Sequence, residues 1–320
     1  MAEERIPLIE TVDLKKYFKV GDKSFLHAVD GINMKVYAGE TIGVVGESGC
    51  GKSTLGRTIL RLIEPTSGQI LYNGDDITKY NTRQMKKMRQ ELQIIFQDPY
   101  ASLDPRKSVI EIIAEYMIIN KTLPKKREIF NRAAHLMDVV GLARRYATAY
   151  PHELDGGRRQ RIGIARALSV NPKFIVCDEP VSALDVSIQA QILNLMEDLQ
   201  EQMGLTYMFI THDLSVVNHF SDDIAVMYLG KLIEKAPSDE LFKNPTHPYT
   251  QALLSAIPLP NIHKQLDRIL LKGEITSPIE PKPVCRFANR CNYATDRCRS
   301  EEPQLREISP GHFVSCFLAE

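Results

Sequence analysis

Residues 46–54 of this 320-residue chain read Gly-Glu-Ser-Gly-Cys-Gly-Lys-Ser-Thr, which has the spacing G-x-x-x-x-G-K-[ST]. An apolar run at 41–45 precedes them and an amphipathic segment follows at 55–60, so the pattern predicts a loop between a buried strand and a helix. Glycines let successive backbone N–H groups turn inward around an anion, and the helix dipole faces the same anion. The chain is therefore predicted to be an α/β protein with a polyphosphate-binding loop.

Within this loop the side chains have distinct expected roles. Lys52 would reach the outer phosphates as a point charge, and the Ser53 hydroxyl would bind a magnesium ion that bridges two phosphate oxygens. The other residues predicted to line the polyphosphate are Gly46, Ser48, Gly49, Cys50, Gly51 and Thr54.

Composition limits the classes of protein that fit. The 40 basic and 40 acidic side chains cancel, so there is no electrostatic footprint for nucleic acid. A hydrophobic content of 43% supports a core, but no run approaches 18 uninterrupted apolar residues. The N-terminus lacks the basic-then-apolar layout of a signal peptide. These features predict a cytosolic protein, in which disulfides are not expected.

The first part of the chain predicts strands and two aromatic candidates. Residues 6–45 alternate apolar and polar positions, which indicates antiparallel strands leading into the phosphate loop, and 69–74 read as a further strand ending in a turn. Either Tyr17 or Phe18 could stack on a purine ring, although strand aromatics are also commonly packed in the core.

A short buried strand ends at Gln97, which could bind a magnesium ion or its water, or could simply end the strand. Residues 108–145 have helical periodicity and predict a helical insertion. Gly156 and Gly157, before the helix predicted at 162–168, would expose backbone donors as a weak second anion site.

Two later strands end in polar side chains. The apolar run 174–177 leads to Asp178, expected to bind magnesium, and to Glu179, expected to take a proton from attacking water. The strand at 205–211 leads to His212, which is either structural or a contact for the γ-phosphate.

Taken together, these residues resemble the ATP-binding subunits of ABC transporters, and specifically those of the oligopeptide/dipeptide importers. The motifs follow the family's order: Walker A at 46–54, the Q-loop at Gln97, the signature at 154–158, Walker B at 174–179, the D-loop at 182–185 ending in Asp185, and the switch histidine at His212. The resemblance implies a P-loop ABC ATPase core with an antiparallel β subdomain. It also implies that ATP is the ligand, that Phe18 is favoured as the adenine-stacking residue, and that the site is completed by a second, homologous subunit.

One position departs from the family pattern. The signature normally reads Leu-Ser-Gly-Gly-Gln, whereas 154–158 read Leu-Asp-Gly-Gly-Arg, so Asp155 replaces a hydroxyl donor with an anion. Two like charges ~4 Å apart at an effective dielectric near 20 repel by roughly 4 kcal/mol unless Arg158 or Arg159 neutralises the carboxylate. We therefore expect an asymmetric pair with a different partner subunit, in which the site facing Asp155 is impaired.

The C-terminal tail contains a stretch that indicates the substrate class and a group of four cysteines. Residues 243–258 closely resemble the stretch typical of the peptide-importer group. Prolines at 258, 260, 278, 281 and 283 predict a loop-rich extension at 251–320. The ATP-binding domain is expected at 1–250, with its helical subdomain at about 99–157. The tail cysteines lack the short spacings of zinc pairs: Cys285, Cys291, Cys298 and Cys316. The resemblance implies a [4Fe–4S] cluster, with zinc as the alternative and free thiols or disulfides as the remaining possibility. Cys50 and Cys177 are expected to be small buried residues, and His312 is a spare ligand candidate that would otherwise be solvated.

The resemblance implies a peripheral subunit on the cytoplasmic side of the inner membrane, bound to integral membrane permease subunits and, indirectly, to an extracytoplasmic peptide-binding protein. The cargo itself is not readable from these residues. A soluble ABC ATPase acting on ribosomes or DNA is the alternative, but such proteins more often fuse two ATPase halves or carry long coiled coils. A redox sensor centred on the cysteines is a third possibility.

Overall fold

The computed structural model describes residues 5–257, 268–273 and 276–319. The strands are, in chain order, β1 (Ile9–Lys19), β2 (Phe25–Val36), β3 (Thr41–Val45), β4 (Ser67–Tyr72), β5 (Asp75–Asp76), β6 (Leu92–Ile95), β7 (Phe174–Asp178), β8 (Thr206–Ile210), β9 (Asp223–Tyr228), β10 (Lys231–Pro237), β11 (Arg306–Ser309) and β12 (His312–Val314). The helices are α1 (Lys52–Ile59), α2 (Thr82–Glu91), α3 (Pro99–Ser102), α4 (Val109–Asn120), α5 (Lys126–Val139), α6 (Gly156–Leu168), α7 (Val186–Met203), α8 (Leu214–Phe220), α9 (Ser238–Lys243), α10 (Pro248–Ser255) and α11 (Asp296–Ser300). The chain divides into two compact units, Met1–Lys79 with Phe209–Glu320, and Tyr80–Met208.

The first unit contains an antiparallel sheet with the strand order β2-β1-β4-β5. Ile9 pairs with Val36 on one side and with Tyr72 on the other. All three side chains are buried, because alternating positions place them on the same inward face. The predicted antiparallel strands in 6–45 are thus confirmed for β1 and β2, and the strand predicted at 69–74 is β4.

A second set of strands in the same unit carries the phosphate loop. β3 runs parallel to β9, and all of its residues are buried, as the continuous apolar run predicted. β9 pairs antiparallel with β10, β10 with β12, and β12 with β11.

The tail therefore has more regular structure than predicted. β12 adds to β10 through Glu234↔Val314, and α11 carries Cys298 in its middle. These elements are three to five residues long, too short for hydrophobic periodicity to reveal. Two of the prolines on which that prediction rested, Pro258 and Pro260, lie outside the described residues.

The second unit pairs β6 with β7 in parallel and adds a helical part. The predicted helical segment is confirmed as α4 and α5, where Ser108 and Glu111 form a capping box at the start of α4. α6 begins at Gly156, six residues before its predicted start, because the Asp155 side chain caps it.

The predicted domain limits at 250/251 and 99–157 stay predictions. In the described part of the chain, no helix has the length and apolarity that crossing a bilayer would require.

Candidate nucleotide-binding and hydrolysis site

The loop between β3 and α1 has the backbone conformation of a phosphate cradle. Gly46, Gly49 and Gly51 have φ angles of 147°, 78° and 107°, which residues with a Cβ atom rarely adopt. A Cβ atom on Gly46 would lie 2.2 Å from the oxygen of Met227, and one on Gly51 would lie 2.0 Å from that of Ala28. Close backbone approach therefore requires glycine at both positions.

Lys52 lies inside this loop. It begins α1, and it is only 4% exposed. Its Nζ donates to the carbonyl oxygens of Gly46 at 2.6 Å and Glu47 at 3.1 Å. A phosphate oxygen could replace these carbonyls as the partner of the ammonium group. Ser53 and Thr54 follow in the first turn of α1, near the positive end of its dipole.

The other predicted loop residues differ in exposure. Ser48 and Gly49 are exposed, whereas Cys50 is buried, as predicted for this cysteine. Burial raises the pKa of the Cys50 thiol. The thiol is therefore neutral at physiological pH.

His212 is placed by the residues on either side of it. The backbone N–H of Thr211 donates to the carbonyl of Val44 at 3.1 Å, and Asp213 caps α8 by accepting from Ser215 N at 2.9 Å. His212 itself is exposed. It therefore stands beside the end of β3, from which the phosphate loop departs.

The two aromatic candidates have different surroundings. Tyr17 stacks on His27 with ring centroids 3.8 Å apart, and its hydroxyl donates to Asp30 at 2.5 Å. Phe18 points to the other side of β1, and the Lys16 ammonium lies 5.0 Å from its ring centroid. Tyr17 is thus held by contacts within the protein, whereas the choice of Phe18 as the purine-stacking residue stays a prediction.

In the second unit, the end of β7 carries the two predicted carboxylates. Asp178 is fully buried at the last position of the strand. Glu179 follows with a positive φ of 47°, a strained conformation for a residue with a Cβ atom. Gln97, just beyond β6, donates from Nε2 to Glu179 Oε2 at 2.9 Å. The structure thus brings Gln97 and Glu179 together.

The signature and the D-loop are also brought together in this unit. A Cβ atom on Gly156 would lie 3.0 Å from Leu184 Cδ2, and one on Gly157 would lie 2.7 Å from Ile188 Cγ2. Asp185 is exposed at the N-cap of α7. The glycine pair therefore leaves room for Leu184 and Ile188 where α6 approaches the D-loop and the first turn of α7.

Asp155 has a structural role at the start of α6. Its Oδ1 accepts from the backbone N–H of Arg158 at 2.8 Å, and its Oδ2 accepts from Arg158 Nη1 at 2.5 Å. Arg159 instead donates to the Pro151 carbonyl at 2.7 Å. The arginine that neutralises Asp155 is thus Arg158.

The four tail cysteines line one small cavity, together with His247 and Phe287 among others: Cys285, Cys291, Cys298 and Cys316. All six cysteines of the chain are free thiols. Burial raises the pKa of Cys285 to about 11, with smaller contributions from the other three thiols. Among the described residues, no three His, Cys, Asp or Glu side chains are arranged to hold one metal ion.

His312 does not line this cavity. It is buried rather than solvated, and its Nε2 lies 2.8 Å from Oε1 of the buried Glu234. The expectation of a solvated histidine was wrong, because β12 carries His312 into the sheet beside β10.

Sequence reasoning missed a contact between the tail and the phosphate loop. Arg290 Nη1 and Nη2 donate to the two carboxylate oxygens of Glu47 at 2.5 and 3.0 Å. The bond to Glu47 raises the pKa of the Arg290 guanidinium. The backbone N–H of Glu47 donates to the hydroxyl of the buried Tyr249 at 2.8 Å. The arginine directly before Cys291 was the available signal.

A second arginine beside a cysteine makes a similar contact. Arg286 donates to Asp30, the partner of Tyr17, and to the carbonyl of Leu229. Burial alone would raise the pKa of Asp30, but the Tyr17 hydrogen bond and the Lys231 and Arg286 charges outweigh it and lower this pKa to about 2. Asp30 is therefore ionised at physiological pH.

Comparisons with known proteins match both the segment that contains the phosphate loop and the tail. The model of the ABC transporter family matches residues 29–182, and that of the oligopeptide/dipeptide transporter C-terminal region matches 233–298. The oligopeptide transport ATP-binding protein AppF of Bacillus subtilis (strain 168) is 50% identical over 97% of each chain. The dipeptide transport ATP-binding protein DppF of Escherichia coli (strain K12) is 47% identical over 98% of this chain and 95% of that protein.

Solved structures agree on the fold. The ATP-binding cassette MJ0796 bound to ADP and Pi superposes with a TM-score of 0.66 and 28% identity, over 72% of this chain and 98% of that one. The cbiO1 protein of Clostridium perfringens has the same TM-score and 29% identity, over 74% and 91% of the two chains. The chain belongs to the ABC transporter ATP-binding proteins, within the oligopeptide/dipeptide transporter family.

Proposed function

We infer that this protein is the ATP-hydrolysing subunit that powers uptake of di- or oligopeptides through a multi-subunit ABC transporter. The observation that carries this function is the presence, in one chain, of the Lys52 phosphate loop and an oligopeptide/dipeptide transporter C-terminal region. Relatives that match nearly the whole chain are transport ATP-binding proteins for these substrates. A soluble ATPase acting on ribosomes or DNA is therefore not favoured.

We assign the chemistry to the following groups. Lys52 neutralises the outer phosphates, and His212 contacts the γ-phosphate. Glu179 accepts a proton from the attacking water, and the Gln97 amide holds its carboxylate in position. The hard oxygens of Ser53 and Asp178, with the side-chain oxygen of Gln97, suit magnesium, which would neutralise charge on the phosphates.

We propose that a second, homologous subunit completes each ATP site with its signature. In that arrangement this chain's Asp155, Gly156 and Gly157 face the nucleotide held by the partner, and Asp185 lies at the same interface. Arg158 reduces the repulsion between Asp155 and the phosphates. The carboxylate still cannot replace the hydroxyl group that would donate a hydrogen bond to the γ-phosphate. A partner with a normal signature therefore leaves one active and one impaired site.

We propose that the four tail cysteines hold a [4Fe–4S] cluster, with zinc as the alternative. The thiol of the buried Cys298 and three half-buried thiols line one cavity, and four thiolates are a donor set that suits both groups. The cavity, at about 10 Å³, has room for a water or an ion, so the side chains must turn outward to admit a cluster. A zinc ion would need the sulfurs at a common distance of about 2.3 Å from one point.

The protein is proposed to act at the cytoplasmic face of the membrane, bound to permease subunits that receive its motion. An extracytoplasmic peptide-binding protein would contact it only through them. Co-purification from detergent with integral membrane subunits tests this assignment, followed by peptide uptake into proteoliposomes. We expect ATP-dependent uptake that Lys52→Ala abolishes. Purification with ribosomes or DNA, and no membrane subunits, would contradict it.

A further inference from the structure

We propose that Arg290 is a positioning residue for the phosphate loop, and that through it the loading of the cysteine cavity sets the affinity of the loop for ATP. The inference rests on the proposed ATP-hydrolysing function and concerns how its site is held.

Three groups hold Glu47 in the middle of the loop. The Arg290 guanidinium binds its carboxylate through two hydrogen bonds, at 2.5 and 3.0 Å. The Tyr249 hydroxyl accepts from its N–H at 2.8 Å, and Lys52 Nζ donates to its carbonyl at 3.1 Å. Glu47, between two glycines with positive φ, is thus fixed at its side chain and at both backbone polar groups.

The groups that hold Glu47 are themselves rigid. Tyr249 is fully buried, and its ring packs against Phe287 with centroids 5.4 Å apart. The side chains of Arg290 and Glu47 are only 10% and 23% exposed, so solvent screens their interaction weakly. Bidentate binding to a carboxylate also fixes geometry, not only charge. A loop held in its binding conformation loses less entropy when it closes around phosphates.

Arg290 also changes the charge that a nucleotide meets. Glu47 lies in the phosphate loop and would repel a triphosphate if its carboxylate were unpaired. Arg290 compensates that charge. Removing the arginine should therefore weaken ATP binding more than removing the carboxylate, whereas a purely structural ion pair would give similar losses for both.

Arg290 does not line the cysteine cavity itself, but it is adjacent in the chain to a residue that does. Arg290 directly precedes Cys291, and the N–H groups of both residues donate to the carbonyl of Phe287 at 2.9 and 3.0 Å. Phe287 and Cys291 line the cavity. A cofactor bound by Cys291 would thus immobilise the backbone turn from which Arg290 extends to the loop.

The test is the dissociation constant of a fluorescent ATP analogue with magnesium, measured on the full-length protein together with its melting temperature. For Arg290→Gln we expect affinity to weaken ~10- to 30-fold, the scale of a charge-assisted bidentate pair, with kcat at saturation changed less than about twofold. For Glu47→Gln we expect the affinity for the analogue to weaken less than ~3-fold. The double variant should show a similarly small loss of affinity, because the repulsive carboxylate is gone.

Arg299→Gln is the matched control, since Arg299 also adjoins a cysteine but pairs with the exposed Asp296 at 3.8 Å. It should leave the affinity unchanged. An unchanged affinity in Arg290→Gln, or a lowered melting temperature without an affinity change, would overturn the proposal. Failure of the unmodified protein to bind the analogue would instead count against the proposed function.

The link to the cysteines is tested with Cys291→Ser in two backgrounds. We expect it to weaken ATP binding in the otherwise unmodified protein but to add nothing in Arg290→Gln. Equal weakening in both backgrounds would show that the coupling bypasses Arg290. If circular dichroism shows that Arg290→Gln is unfolded, Arg290→Lys, which keeps the charge but not the bidentate geometry, takes its place with a smaller expected loss.

Discussion

Gln97 Nε2 lies 2.9 Å from Glu179 Oε2, so the Q-loop glutamine directly holds the carboxylate that we assign as general base. Glu179 also has a positive φ, an uncommon backbone conformation for a residue with a Cβ atom. Through this bond, a movement of the loop after β6 would also move the base. We therefore expect the rate of hydrolysis to depend on the position of the segment leading into α3.

This relationship predicts the kinetics of two variants. Glu179→Gln should lower kcat by ~10²- to 10⁴-fold, as expected for loss of a general base. Gln97→Ala should lower kcat by about 10-fold with a smaller effect on KM, because the base remains but is misoriented. Single-turnover phosphate release measures both.

Gln69→Ala is the control for these variants, since the exposed Gln69 also bonds a carboxylate, that of Asp76. Its turnover should match that of the unmodified protein. Normal turnover in Gln97→Ala would show that the bond to Glu179 has no catalytic role.

The impaired-site hypothesis predicts a gain of activity. In a heterodimer whose own site is silenced by Glu179→Gln, residual turnover comes from the site that faces Asp155. Adding Asp155→Ser should raise this residual turnover by ~10-fold or more, because the serine restores a donor and still caps α6.

Asp155→Asn is the control for this gain, since it removes the charge without restoring a hydroxyl group. A smaller rise with asparagine would separate the two effects. An unchanged residual turnover with serine would contradict the hypothesis, as would rapid hydrolysis by homodimers, which carry Asp155 at both sites.

The surroundings of the two aromatics predict opposite outcomes for nucleotide binding. Phe18→Ala should raise the KM for ATP by ~5- to 20-fold, since base–aromatic stacking contributes about 1–3 kcal/mol. Tyr17→Phe keeps the stacking on His27 and removes only the bond to Asp30, so KM should be unchanged. Steady-state hydrolysis measures both, and an unchanged KM in Phe18→Ala would contradict the assignment of Phe18.

The cysteine cavity predicts the composition of anaerobically purified protein. We expect about four iron and four sulfide per chain, with a brown colour. Cys291→Ser should lose this iron, whereas Cys50→Ala should keep it because Cys50 lies outside the cavity. A colourless sample with one zinc per chain would rule out the cluster.

The sequence alone determined the elements with strong local signals. The phosphate loop, β3 and α1 followed from glycine spacing between an apolar run and an amphipathic segment, and the antiparallel β1 and β2 followed from alternation. These features depend on residues close together in the chain, where backbone preferences and periodicity apply directly. The motif order was sufficient to indicate the family.

Only the tertiary structure decided which side chains meet across long separations. Glu47 and Arg290 are 243 residues apart, and Gln97 and Glu179 are 82 apart, so no local pattern could pair them. The choice of Arg158 over Arg159 for Asp155 depended on which guanidinium could reach the cap of α6. Short tail strands likewise form because β10 offers them hydrogen bonds, a partner that their own few residues cannot reveal.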